Sequence, residues 1–312
     1  MEKRPAIDLT DASQNVWNKF EQLPTATYAE EIAVKVKHLL LLTNALHVRK
    51  IPVNDWNLWT EPVIFKLCYH VTSLLQLLAG TQLPYEQNGR NVLIFDEPSI
   101  FVLFRSALEN YLTFYYLFVD NVPDDEKYFR LLVWKYSGVK QRSEFKIEND
   151  EEAQRRLAKE KQTVEKYRQQ IEDSANFQNM AAKEKATILK GKKSRLVKGW
   201  QTLVESANLR SDIFRNLYSY KSSYSHSEFL SILQIKSGGY GFNPNAKAHY
   251  LTIIIHALVC KTIVDLTKLF PIINQEFEGL SDDIRKEILY LNIFCMNQDA
   301  EINPNEQQSR QV

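Results

Sequence analysis

Residues 96–119 read DEPSIFVLFRSALENYLTFYYLFV, and this stretch decides the fold. Asp96, Glu97 and Pro98 are residues that begin helices: an aspartate accepts unpaired N–H groups, acidic charge suits the positive end of the helix dipole, and proline fits the first turn. From Ile100 to Val119 nearly every residue is aliphatic or aromatic, so a helix here is apolar all round and belongs at the centre of a bundle. The run has the length of a membrane span, but Arg105, Glu109 and Asn110 sit in its middle, where charge in a bilayer is costly. A central helix in a soluble body is expected, with polar partners for its two charges.

Outward from this segment the same helix signals recur. The spacing predicts a helix from Asp11 to Leu23 closed by Pro24, then one N-capped at Thr27, with Glu30 at capping-box spacing, running through Leu46. Thr60, Glu61 and Pro62 open a third helix that stops at Gly80, and a fifth starts at Asp124 and runs to about Ile147. Asp150 to Asp173 is dominated by charge, and its few apolar residues, Leu157, Val164 and Ile171, recur every seven positions, the narrow seam of a helix packed on one neighbour. Further helical stretches follow at Trp200 to Ala207, Asp212 to Leu233 behind Ser211, His249 to Phe270, and Ser281 to Met296. With 44% hydrophobic and 25% charged residues and only 9 glycines in 312, the chain reads as an all-α helical bundle around one central apolar helix, with a charged helical arm. The expected division is 1–149 and 191–296 for the two halves of the bundle, 150–190 for the arm, and 297–312 for a disordered tail.

The formal net charge of +1 excludes a global field for drawing in nucleic acid or an anionic membrane, so any such attraction rests on local patches. Cys68, Cys260 and Cys295 are odd in number, far apart and set in apolar patterns, which points to a reducing compartment. The charged N-terminus is followed by no signal-like apolar core, so a cytoplasmic location is expected, with no membrane partner. No glycine-rich phosphate loop, nucleophile elbow or cluster at metal-ligand spacing stands out, and neither cofactor nor metal is expected. His256 and Cys260, four apart on an apolar helix, read as core.

Three constellations remain. Arg105 and Glu109 are four apart on the central helix, so they share a face and can pair, either as a buried structural ion pair or as part of a site. Tyr218, Lys221, Ser222 and His226 fall within little more than two turns, and Tyr218, Ser222, Ser225 and His226 keep near one stripe. Such a stripe presents hydroxyls beside an imidazole, a common general acid or base, although a histidine bonded within the core fits the same pattern. Lys190, Lys192, Lys193, Arg195 and Lys198 form a basic run that suits a phosphate backbone, or simply a solvated surface.

RSALENYLTFYYLF at 105–118, Gly199-Trp200, and LYSYKSSYSH at 217–226 resemble a family of uncharacterised bacterial helical proteins known only as a domain of unknown function. The resemblance covers roughly Val63 to Leu266. A looser similarity is to the HEPN superfamily, helical bundles that include metal-independent ribonucleases of toxin and antiphage systems, whose motif is an arginine, four to six residues, then a histidine. Here Lys221 stands in the arginine position before His226, and a lysine lacks the planar bidentate grip on phosphate. The resemblance implies a ribonuclease in which His226 is the base, Arg105 stabilises phosphate charge and Glu109 orients Arg105, while Tyr218, Lys221 and Ser222 position RNA. The alternative is a non-catalytic interaction module with an Arg105, Glu109 and His226 polar network, whose charged arm contacts a protein partner or a second copy.

Overall fold

Pro24 sets the first corner of the chain. A proline pushes the residue before it out of the helical region, and Leu23 is extended (φ −85°, ψ 138°), so α1 (Thr10–Gln22) stops and α2 (Thr25–Val48) starts directly afterwards. The N-cap is therefore Pro24, and Thr27, expected in that role, lies inside the first turn of α2. The computed structural model describes residues 8–49, 57–85, 90–146, 150–196, 199–225, 232–233, 236 and 246–297.

After α3 (Thr60–Leu78), Gly80 takes a left-handed φ of +79°, and a side chain there would come within 2.8 Å of Leu93 Cδ1. Glycine is thus required by both backbone and packing. It leads into an antiparallel hairpin, β1 (Thr81–Tyr85) and β2 (Arg90–Ile94), with Thr81 opposite Ile94 and Tyr85 opposite Arg90. Nothing in the sequence reading anticipates this hairpin. Pro84 argues against a strand interior, yet it is accommodated here because β1 pairs on one side alone among the described residues.

The central helix α4 (Glu97–Phe114) begins as its sequence indicates: the Asp96 side chain accepts from the Ser99 amide at 3.1 Å. Its continuation, Tyr115–Val119, widens into a π-helical turn. The remaining helices are α5 (Asp124–Ser143), α6 (Glu151–Glu172), α7 (Ala175–Gln178), α8 (Ala182–Leu189), α9 (Trp200–Ser206), α10 (Ser211–Ser225), α11 (Ala246–Leu269), α12 (Asn274–Glu278) and α13 (Asp282–Cys295). The fold is an all-α helical bundle with one small hairpin.

The chain divides into two compact units. One comprises Met1–Pro52, Trp59–Val119 and Leu203–Val312. In it α4 packs against α3, α10 and α11, and α11 packs against α2 and α13. Phe101, Phe104, Leu108 and Leu112 of α4 are fully buried. The span His249–Leu269 is long and apolar enough to cross a membrane, with mean hydropathy 1.6, but it is 94% buried, as befits a core helix. The other unit comprises Val53–Leu58 and Asp120–Thr202. Here Val164 and Ile171 of the charged helix α6 share a core with Phe129, Leu132, Val133 and Tyr136 of α5, closed by Phe177 and Ile188. Val164 and Ile171 of the seven-residue seam belong to that core, and most charges of α6 are exposed, while Glu160 turns to Arg142 of α5.

Candidate functional site

Val102, Arg105, Ser106, Glu109 and Thr113 form a half-buried stripe on α4, spaced by three and four residues. Ser106 and Thr113 turn their hydroxyls back to the carbonyls of Val102 and Glu109, at 3.0 and 2.8 Å. Arg105 and Glu109 face outward from the helix, where α10 packs on it.

Three side chains close a triangle there. Arg105 Nε donates to Glu109 Oε1 at 2.9 Å, Arg105 Nη2 donates to the Tyr218 hydroxyl at 3.1 Å, and that hydroxyl donates to the same Oε1 at 3.0 Å. The guanidinium also lies over the Tyr218 ring, 4.9 Å from its centroid. Glu109 Oε2 makes no hydrogen bond among the described residues. Neither ion is sealed, since the side chains of Arg105 and Glu109 retain 19% and 27% exposure.

The electrostatics follow from this placement. Burial works against the charge on Arg105, but the Glu109 hydrogen bond and the Tyr218 oxygen outweigh it and raise the arginine's pKa. Burial, with the Glu109 charge second, raises the Tyr218 phenol, so it keeps its proton at neutral pH and serves as the donor to Glu109. The guanidinium is the group here that can meet an anion such as a phosphate, while the adjacent Glu109 carboxylate offsets its charge.

Of the other residues singled out in sequence, Lys221 and Ser222 belong to α10, for which only the backbone is described at those positions. His226 and Lys198 lie outside the described residues. Lys190, Lys192, Lys193 and Arg195 lie after α8 in the second unit, and the Arg195 guanidinium sits 3.5 Å from the centroid of the Trp200 ring.

Two further polar clusters escaped the sequence reading, and both are sealed in the core. Lys261 pairs with Asp265 at 2.7 Å, and the Tyr111 hydroxyl donates to Asp265 at 3.0 Å. Lys35 pairs with Glu287 at 2.9 Å, next to His256, whose Nδ1 meets the Tyr28 hydroxyl at 2.9 Å. The Lys261 and Asp265 spacing is the same four-residue signal that marked Arg105 and Glu109, whereas Lys35 and Glu287 are 252 residues apart and leave no local trace. Burial raises the thiols of Cys68 and Cys295 to about 12, so these cysteines are core groups and not nucleophiles. Among the described residues no three histidine, cysteine or acidic side chains gather as a metal site.

A protein-family model described as a family of unknown function (DUF5677) matches residues 67–239, more than half of the chain. The chain belongs to this family. The DUF5677 match takes in α4, α10 and the turn after α8, so Arg105, Glu109, Tyr218 and His226 all fall within it. No curated protein and no solved structure matches the chain.

Proposed function

We propose that this protein is a HEPN-like ribonuclease that cleaves RNA without a metal ion, as an effector of the toxin or antiphage kind, at a site built on Arg105, Glu109 and Tyr218. The observation that supports this reading is a guanidinium held from two directions, by Glu109 at 2.9 Å and Tyr218 at 3.1 Å, while still reachable from solvent. A preorganised cation of this kind stabilises charge that develops on a phosphate in the transition state, with no reorganisation at the moment of reaction.

In the proposed reaction His226, which follows α10 in sequence, removes the proton from a ribose 2′-hydroxyl. The 2′ oxygen attacks the adjacent phosphorus, the bond from phosphorus to the 5′ oxygen breaks, and the proton is returned to that leaving oxygen. The products are a 2′,3′-cyclic phosphate and a 5′-hydroxyl. Arg105 bears the growing charge on the non-bridging oxygens, Glu109 and Tyr218 hold Arg105, and Lys221 and Ser222 position the strand.

The test incubates total RNA in EDTA with wild type, His226→Ala and Arg105→Lys, with thermal melts in parallel. Cleavage by wild type is expected, with a loss of about a hundredfold to ten-thousandfold in His226→Ala. Arg105→Lys is expected to lose most activity because an ammonium cannot make the two directed bonds. RNA left intact by the wild type overturns the reading. A second reading, an interaction module, is favoured by the way Arg105, Glu109 and Tyr218 satisfy one another without a ligand. It predicts that substitutions in the triangle lower the melting temperature and change partner binding alone.

A further inference from the structure

Several cations of the second unit are paired within it. Arg130 meets Asp120 at 2.6 Å, Arg142 meets Glu160 at 2.6 Å, and Arg168 meets Glu172 at 3.2 Å. Residues 190–195, KGKKSR, concentrate basic charge: four of six positions are cationic and none is acidic. Lys190, Lys192 and Lys193 have no carboxylate within ion-pair distance among the described residues, and Lys190 and Lys192 are exposed.

This turn is held in place. The Tyr136 hydroxyl donates to the Leu189 carbonyl at 2.7 Å, and Ser137 Oγ donates to the Gly191 carbonyl at 2.8 Å, both from α5. Gly191 adopts a left-handed φ of +67°, and a side chain there would meet Lys140 Cγ at 2.5 Å. Lysines past the end of a helix often serve its last carbonyls, but here α5 already supplies a hydroxyl to Leu189. Arg195 at the end of this run lies over the ring of Trp200, a flat group of the kind on which bases stack.

We propose that the turn at Lys190, Lys192 and Lys193 is a docking surface for the phosphate backbone of single-stranded RNA. This deepens the ribonuclease reading by assigning a second hold on its substrate, and it rests on that reading for the choice of RNA. A row of cations held in place recognises backbone charge without regard to sequence, and the indole of Trp200 at its end favours a single strand over a duplex.

The experiment uses the full chain and a labelled single strand of 2′-O-methyl RNA, roughly 20 nucleotides long, more than the ~4–16 that one binding groove covers. Lacking a free 2′-hydroxyl, this probe binds without being cleaved. Anisotropy titrations run from about 50 to 200 mM salt, where each phosphate contact on a single strand adds about 0.7 to the logarithmic slope. The combined variant Lys190→Gln, Lys192→Gln, Lys193→Gln is expected to melt like wild type, to bind at least tenfold more weakly at the low-salt end, and to show a slope smaller by about 2. An unchanged slope and affinity in that variant overturns the proposal, as does a wild type that fails to bind. Displacement of the probe by polyglutamate at equal charge overturns it too, in favour of an acidic protein partner. Binding lost in the triple variant, with no cleavage of unmodified RNA by any form, sinks the ribonuclease reading and leaves the docking surface standing.

Discussion

Tyr218 of α10 donates its hydroxyl to Glu109 of α4 at 3.0 Å, across 109 residues of sequence. The same hydroxyl accepts from Arg105, so one phenol fixes both charges of the central helix and ties α10 to α4. Whether the cluster catalyses or only holds the fold, the hydroxyl is its joint.

Tyr218→Phe removes that joint and little else. The loss is expected to be about 0.5 to 1.5 kcal/mol, the usual worth of a hydrogen bond, or about 1 to 6 °C in melting temperature for a body of this size. A double-mutant cycle with Glu109→Gln measures the coupling directly. Effects that add to within about 0.3 kcal/mol would mean that the two residues do not act together.

Stability should fall on the acid side because of His256. Burial, reinforced by Lys35 and Lys19, holds its folded-state pKa well below the ordinary 6.5. The imidazole stays neutral in the folded protein but takes a proton in the unfolded chain. The contribution is therefore complete above about pH 6.5 and lost as pH falls toward the depressed value. Urea midpoints at two pH values, about 7.5 and 5.5, should move apart in wild type. In His256→Asn, which keeps a partner for Tyr28 without titrating near neutrality, stability at the higher pH is expected to be lower and its decline on acidification shallower. Parallel declines in the two proteins would rule out His256 as the source.

Ile171 and Leu157 test the seam of α6. Ile171 is fully buried and Leu157 half-buried. Ile171→Ala is expected to cost about 2 to 5 kcal/mol by leaving a cavity between α5 and α6, and Leu157→Ala clearly less. Hydrogen exchange localised to α5, α6 and α8 reads the effect in this unit. Equal, small losses at both positions would show that the seam is not core.

What the sequence by itself determined is local along the chain. Asp96 was legible as a helix start, and it accepts from the backbone N–H three residues on, Ser99, because a cap involves only its own first turn; Asp150 caps α6 in the same way. The stop at Gly80, the seam of Leu157, Val164 and Ile171, and the pairing of Arg105 with Glu109 were readable for the same reason: residues three, four or seven apart on a helix share a face whatever surrounds it. The cap assigned to Thr27 failed because Pro24 acts on the backbone more strongly than a hydroxyl does. The hairpin went unseen although Asn88-Gly89, a strong hairpin dipeptide, lies between its strands in the sequence, because the chain's scarcity of glycine argued against strands as a class.

Only the tertiary structure decided which faces meet. Tyr218 was visible as one member of a polar stripe, but nothing near it in sequence specified that its hydroxyl would bridge Arg105 and Glu109. Lys35 and Glu287 are 252 residues apart, and they form a buried pair because α2 and α13 both pack against α11. A helix's own sequence sets which residues line each face, by the 3.6-residue period of its backbone. The partner of a face is chosen by the packing of all the helices together, through contacts between residues hundreds of positions apart.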